Sequence, residues 1–168
     1  MLIKLLKHTS ILENRYLHLS LIYLLSFSIP FLLQGPQLLV GSTINFILIL
    51  GVSLYNIKLL IPALILPSVS VYIYNVLFQG ATGFLLYLIP FIVISNVIYL
   101  VIFKKIKIDY LDISLAAILK AAFLFVCTYI LTKTIDLPEI FLTVMGINQL
   151  ITALIGGFLA KGVIQATD

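Results

Sequence analysis

Five polar side chains stand where a hydrophobic chain has least use for them: Lys120, Asn45, Asn96, Asn148 and Gln149. Lys120 lies inside the run ILKAAFLFVCTYIL. A buried ammonium there could hold a carboxylate or a phosphate through charge-assisted hydrogen bonds. The amides of Asn45, Asn96, Asn148 and Gln149 each bring donors and acceptors, which could orient such a ligand. The rest of the chemical inventory is thin. There is no GxxxxGK[ST] run for nucleotide phosphates and no HExxH or paired CxxC for zinc. Cys127 is the only cysteine and lies in an apolar run, which fits a packing residue. His8 and His18 fall near the membrane interface, so neither makes an activated nucleophile inside the apolar core. The expectation is a protein that is not an enzyme and needs no metal or cofactor.

The elements that must position these groups follow from composition. The chain has 168 residues, 62% hydrophobic and 10% charged, against about 25% charged in an ordinary soluble domain. None of the charges falls in the 42 residues between Arg15 and Lys58 or in the 45 between Lys58 and Lys104. A membrane-crossing helix needs about 20 apolar residues, so each gap holds two spans. The whole reads as an all-α, six-helix integral membrane bundle forming one domain over 1–168, with no separate aqueous domain. The spans are expected at about 17–33, 38–55, 57–78, 82–103, 110–132 and 140–164. The segment 1–16 carries Lys4, Lys7 and Arg15 among apolar residues at helical spacing. It reads as a short helix lying at the interface rather than a signal peptide.

Turn residues separate the spans. Gln34-Gly35-Pro36-Gln37 ends the first, Asn56 and Lys58 mark the second turn, and Gln79-Gly80-Ala81-Thr82-Gly83 follows the third. Lys104, Lys105 and Lys107 stop span four, and the loop from Lys133 to Glu139 precedes span six. Pro62 and Pro67 lie inside span three and predict a kink or break there, with that span facing protein so that the freed carbonyls are not left in lipid. Basic residues then divide by side. Lys4, Lys7, Arg15, Lys58, Lys104, Lys105, Lys107 and Lys161 gather at one end and only Lys133 at the other. Cytoplasmic flanks hold the excess of lysine and arginine, so both termini are expected in the cytoplasm. The same distribution, beside spans rather than on a polar face, accounts for the net charge of +4 without nucleic acid as a partner.

Depth sharpens the polar residues. Lys120 lies about ten residues, or about 15 Å, from the cytoplasmic end of span five, where a lysine costs about 2.5 to 3.5 kcal/mol on insertion scales. Two readings stand side by side: a binding group for an anionic ligand, or a lysine that snorkels or bonds helix carbonyls. Asn45, Asn148 and Gln149 belong to the outer half and Asn96 lies deeper. Each amide alone reads as interhelical glue more readily than as ligand contact, and the case for a pocket rests on their convergence. Tyr72, Tyr74, Tyr87, Tyr99 and Tyr129 could line a cavity or anchor at the interface. Small residues at Gly146, Ala153, Gly157 and Ala160 in span six and at Ala116, Ala117, Ala121 and Ala122 in span five predict close packing of those two spans.

The runs PQLLVGSTINFILILGVSLY, LIPFIVISNVIYLVIF and GINQLITALIGGFLAKGVI resemble the substrate-binding S components of energy-coupling factor transporters, small prokaryotic integral membrane proteins. The likeness extends over nearly the whole chain and lies especially with S components that have a central Asn in span two, Pro-Phe then Asn in span four, and Gln-Leu-x-Thr-Ala-x-x-Gly-Gly in span six. Those positions here are Asn45, Pro90, Phe91, Asn96, Gln149, Leu150, Thr152, Ala153, Gly156 and Gly157. The resemblance implies a multi-pass protein of the prokaryotic cell membrane. It would capture a vitamin, cofactor precursor or metal ion from outside, in a pocket among spans four to six and the outer loops. It also implies a transmembrane coupling subunit and two cytoplasmic ATPase subunits as partners, and a binding subunit that topples in the bilayer to release its cargo. Many members of that family dock through an Ala-x-x-x-Ala pattern in span one, where this chain has LHLSLIYLLSFSIPFLL with Ser20, Ser26 and Ser28 as its small residues. Two functions are therefore weighed: a solute-binding transport subunit with Lys120 facing an acidic ligand, and a non-transporting membrane scaffold of similar fold whose amides only join helices.

Overall fold

Long apolar runs bounded by turn residues can satisfy their backbone polar groups in a bilayer only by forming helices, and the computed structural model shows that outcome. It describes residues 15–78, 81–106 and 108–167. The helices are α1 (Arg15–Leu33), α2 (Gln37–Leu54), α3 (Ile57–Tyr74), α4 (Leu85–Lys105, entered through a 3₁₀ turn at Thr82–Phe84), α5 (Leu111–Thr134), α6 (Ile140–Met145) and α7 (Ile147–Gln165). They form six units long and apolar enough to cross a membrane, with α6 and α7 making up the sixth. No strand occurs among the described residues. The expected interfacial helix over 1–16 lies, apart from Arg15 and Tyr16, outside the described residues, as do Gln79, Gly80 and Lys107.

Hydrogen bonds fix which helix ends gather together. His18 at the start of α1 bonds Tyr55 after α2 at 2.9 Å, and Lys104 at the end of α4 donates to the Tyr55 carbonyl at 3.2 Å. Burial pushes the Tyr55 phenol up, and the nearby Arg15 opposes that shift. At the same end, Lys161 near the close of α7 pairs with Asp112 at the start of α5. At the opposite end, Gln37 at the start of α2 donates to the Val144 carbonyl of α6 at 3.3 Å. Arg15, Lys58, Lys104, Lys105 and Lys161 thus share a lysine-rich end, and Lys133 lies at the lysine-poor one.

Two span boundaries differ from expectation for local reasons. The third helix stops at Tyr74 instead of Phe78, because Asn75 takes the left-handed conformation at φ 52°. Asn tolerates that conformation better than other residues with a side chain. Val76 N–H then reaches back to the Val71 carbonyl at 3.3 Å and closes the cap. The freed residues fold over the bundle, and Phe78 packs on Phe141 with ring centroids 5.1 Å apart. The sixth span is broken at Gly146, a feature absent from the sequence reading. A side chain there would meet the Leu142 carbonyl oxygen at 2.7 Å and the Phe125 ring at 3.0 Å.

Of the kink or break expected in span three, the break does not occur: Pro62 and Pro67 both lie inside one continuous helix. Its face at Leu60, Ala63, Leu64, Ser68 and Val71 is buried in protein. That is the setting in which a carbonyl left unbonded by proline is tolerated.

The small-residue stripe of α7 serves more than one neighbour. The most extensive helix contact is between α2 and α7, ahead of α4 with α5 and α1 with α3; α5 and α7 also touch. A Cβ on Gly156 would strike the Ser42 carbonyl and lie 2.7 Å from the Phe46 nitrogen, so α2 and α7 cross at backbone distance. Gly157 instead faces Tyr99 and Ile113 of α4 and α5. The two adjacent glycines let α7 wedge between α2 and the α4–α5 pair.

Candidate functional site

The wedge leaves a half-open cavity of about 90 Å³ toward the lysine-poor end. A water takes about 30 Å³ of liquid volume, so this cavity has room for about three. Its walls come from α1 (Pro30), α2 (Gln37 to Asn45), α3 (Leu64 to Val71), the folded-back Leu77 and Phe78, α4 (Leu85, Ile92, Asn96), α5 (Lys120), and the α6–α7 break (Met145, Gln149, Thr152). Most of that surface is aliphatic. The polar groups line one side and the floor.

Lys120 forms the floor and is 2% exposed. Its Nζ donates to Asn45 Oδ1 at 2.6 Å and stands 5.1 Å from the centroid of the Tyr99 ring. Tyr99 is fully buried and donates its hydroxyl to the Ala153 carbonyl at 2.6 Å, which fixes the ring under the ammonium. Asn45 is held from its other end: Nδ2 donates to the Gly41 carbonyl at 2.9 Å and to Thr152 Oγ1 at 3.3 Å. Thr152 in turn donates to the Gln149 carbonyl at 3.2 Å. These bonds orient the floor without neutralising it. The salt bridges among the described residues both belong to Lys161, with Asp112 at 2.8 Å and Asp109 at 3.3 Å, and neither carboxylate bonds Lys120. An ammonium has three donors, and only one of them on Lys120 is engaged.

Asn96, 5% exposed, also lines the cavity, and its Oδ1 is buried with no hydrogen-bond partner. Buried amide oxygens rarely go unpaired, so Asn96 has hydrogen-bonding capacity that the described residues leave unused. Gln149 is half-buried and lines the wall between floor and mouth.

Four of the five residues picked from sequence, Lys120, Asn45, Asn96 and Gln149, therefore face one space. Asn148 does not. Its Nδ2 donates to Gln37 Oε1 at 3.2 Å, and Asn148 acts as a link between α7 and the start of α2. Adjacent helix positions point about 100° apart, which separates Asn148 from Gln149. Of the tyrosines considered, Tyr99 is buried at the floor, whereas Tyr72, Tyr74, Tyr87 and Tyr129 are exposed. Sequence reasoning missed Thr152, Ser68 and Gln37 as lining residues. Thr152 was findable, because it follows Gln149 by three residues and so shares its face.

The break before α7 adds an electrostatic element. A helix begins afresh at Ile147, between the lining residues Met145 and Gln149, and carries the positive end of its dipole there. No group of three or more His, Cys, Asp or Glu side chains placed to hold a metal occurs among the described residues. The fold and the cavity define a class: a multi-pass helical membrane protein with a polar-floored internal cavity built around a buried ammonium. Comparison with known proteins adds no relative, since no family model, no curated protein and no solved structure matches the chain.

Proposed function

We propose that this chain is the membrane-embedded, substrate-specific subunit of an energy-coupling factor type importer, which captures a small anionic solute for uptake. One observation carries the reading. Lys120 is buried at the floor of a half-open cavity, bonded among the described residues to Asn45 alone, and Asn96, whose buried amide oxygen has no partner, lines the same cavity. A permanently structural lysine in hydrocarbon would be expected to spend its donors on helix carbonyls or a carboxylate. A binding lysine keeps them open, and here the floor is stiffened around it by Asn45, Thr152 and Tyr99.

The lysine-poor end, where the cavity opens, faces outward in this reading, and both termini lie in the cytoplasm of a prokaryote. Supply of energy then falls to a transmembrane coupling subunit and two cytoplasmic ATPases. Ser26 of α1 is fully buried, so docking would use the outward face on which Ser20 is exposed with Leu21 and Leu24. Affinity isolation of the tagged chain from its native membrane tests the transport role. The expected result is co-isolation of a membrane subunit and two ATPases in constant ratio, weakened when Ser20 and Leu24 are replaced by tryptophan. A chain recovered alone under mild solubilisation would favour the scaffold function.

A further inference from the structure

The same cavity specifies the charge and size of its ligand. Resting on its reading as a solute site, we infer that the bound group is a singly charged carboxylate with a compact apolar body, and that phosphorylated compounds, zwitterions and metal ions are excluded.

The charge count comes first. Among the described residues, Lys120 is the one cationic side chain lining the cavity, and no Asp, Glu, His or Cys lines it. A metal ion would find an ammonium and no anionic ligand. An amino acid would bring a second ammonium with nothing to receive it. A phosphate monoester carries close to two charges at neutral pH, and one lysine would leave a net negative charge in a desolvated site, which is costly. One ammonium balances one carboxylate.

The donor count agrees. Two N–H groups of Lys120 remain after the bond to Asn45, enough for both carboxylate oxygens. Asn96 can turn its NH₂ toward the same oxygens, because its Oδ1 has no partner to hold it in place. The start of α7 near the mouth contributes a further favourable potential for negative charge. The Tyr99 hydroxyl is committed to Ala153 and the Asn45 amide to Gly41 and Thr152, so neither competes.

Shape supplies the rest. Leu64, Val71, Leu77, Phe78, Leu85 and Ile92 make the wall apolar above the floor. Set against a cavity of about 150 Å³ that holds one benzene, this cavity's volume encloses roughly three or four non-hydrogen atoms. A carboxylate head on Lys120 with the start of an aliphatic body fills it, and anything longer emerges past Gln37 and Gln149.

The test uses the full chain in lipid nanodiscs, with empty nanodiscs as the partition control. Four probes share one chain length: hexanoate, hexanamide, hexyl phosphate and hexylammonium. Equilibrium dialysis should show saturable hexanoate binding at neutral pH. Hexanamide should bind about ten- to a hundredfold more weakly, the range expected for loss of a hydrogen bond to a charged partner, and hexyl phosphate and hexylammonium should not saturate. Lys120→Met should erase the preference of hexanoate over hexanamide. Hexyl phosphate or hexylammonium binding as tightly as hexanoate, or an unchanged preference in Lys120→Met, would overturn the inference and leave the cavity as a solute site of other specificity. Failure of all four probes, with no small molecule released from the purified protein on denaturation, would overturn the solute site itself. If the probes fail but a molecule is released, a monocarboxylic acid upholds the inference and any other class overturns it.

Discussion

Lys120→Met should lower affinity for the anionic solute at least tenfold while leaving the ligand-free protein as stable as wild type, or more so. The two halves of that result have one cause. Lys120 is 2% exposed and forms no ion pair, so the empty protein carries the desolvation of an ammonium that only a ligand compensates. A lysine at the centre of a membrane helix costs about 2.5 to 3.5 kcal/mol on insertion scales, and methionine of similar length removes that cost. What is lost is the bond to Asn45 and the contact with the Tyr99 ring. Asn45 keeps its bonds to Gly41 and Thr152 and lines a cavity with room for about three waters. A thermal melt of both proteins without ligand, beside equilibrium dialysis with it, checks both halves. A lysine that merely braces the bundle gives the opposite pattern: a lower melting point and unchanged binding.

Asp112→Ala should be the most destabilising single change at the lysine-rich end. Lys161 and Asp112 are both buried and meet through two bonds of 2.8 Å, joining α7 to α5. The Asp112 carboxylate also accepts the Ile113 N–H at 2.8 Å in the first turn of α5, where a negative charge is favoured. Removing one member of a buried pair leaves the other uncompensated and costs about 3 to 5 kcal/mol. Asp109 lies 3.3 Å from Lys161 but is largely exposed and takes up only part of the loss. Replacing both partners, as in Asp112→Leu with Lys161→Met, should recover most of the stability, because similar apolar pairs often match a buried ion pair. Denaturant unfolding in detergent micelles measures the cycle. Equal stability of Asp112→Ala and wild type would show that the pair contributes nothing net.

What the sequence made legible was set by how long-range the physics is. Charge-free stretches between Arg15, Lys58 and Lys104 announce pairs of spans without reference to neighbours, because lipid itself enforces them. The depth of Lys120 was readable for the same reason. Its bond to Asn45, across a separation of 75 residues, depends on how α2 and α5 are placed by the wedge of α7 and was not. The stripe Gly146, Ala153, Gly157, Ala160 correctly marked α7 as a close-packing helix but pointed only to span five. Gly156, one position off that stripe, is the residue that sets the crossing with α2. Lys161 was legible only as one more flanking charge, since nothing local tells a snorkelling lysine from one drawn inward by a carboxylate on another helix. The break at Gly146 escaped because a glycine within an apolar run is as often packing as punctuation. The Phe125 ring, which crowds the position beside the Leu142 carbonyl, is distant in sequence.

The most direct measurement is of what the protein carries. Wild type and Lys120→Met, purified in parallel from the same host and denatured, are analysed for released small molecules by mass spectrometry. A buried ammonium with no carboxylate partner among the described residues, lining a half-open cavity, predicts an acid of one negative charge, released in amounts approaching one per wild-type chain and missing from the variant. Identical contents from the two proteins, or nothing from either while both remain folded, would contradict it.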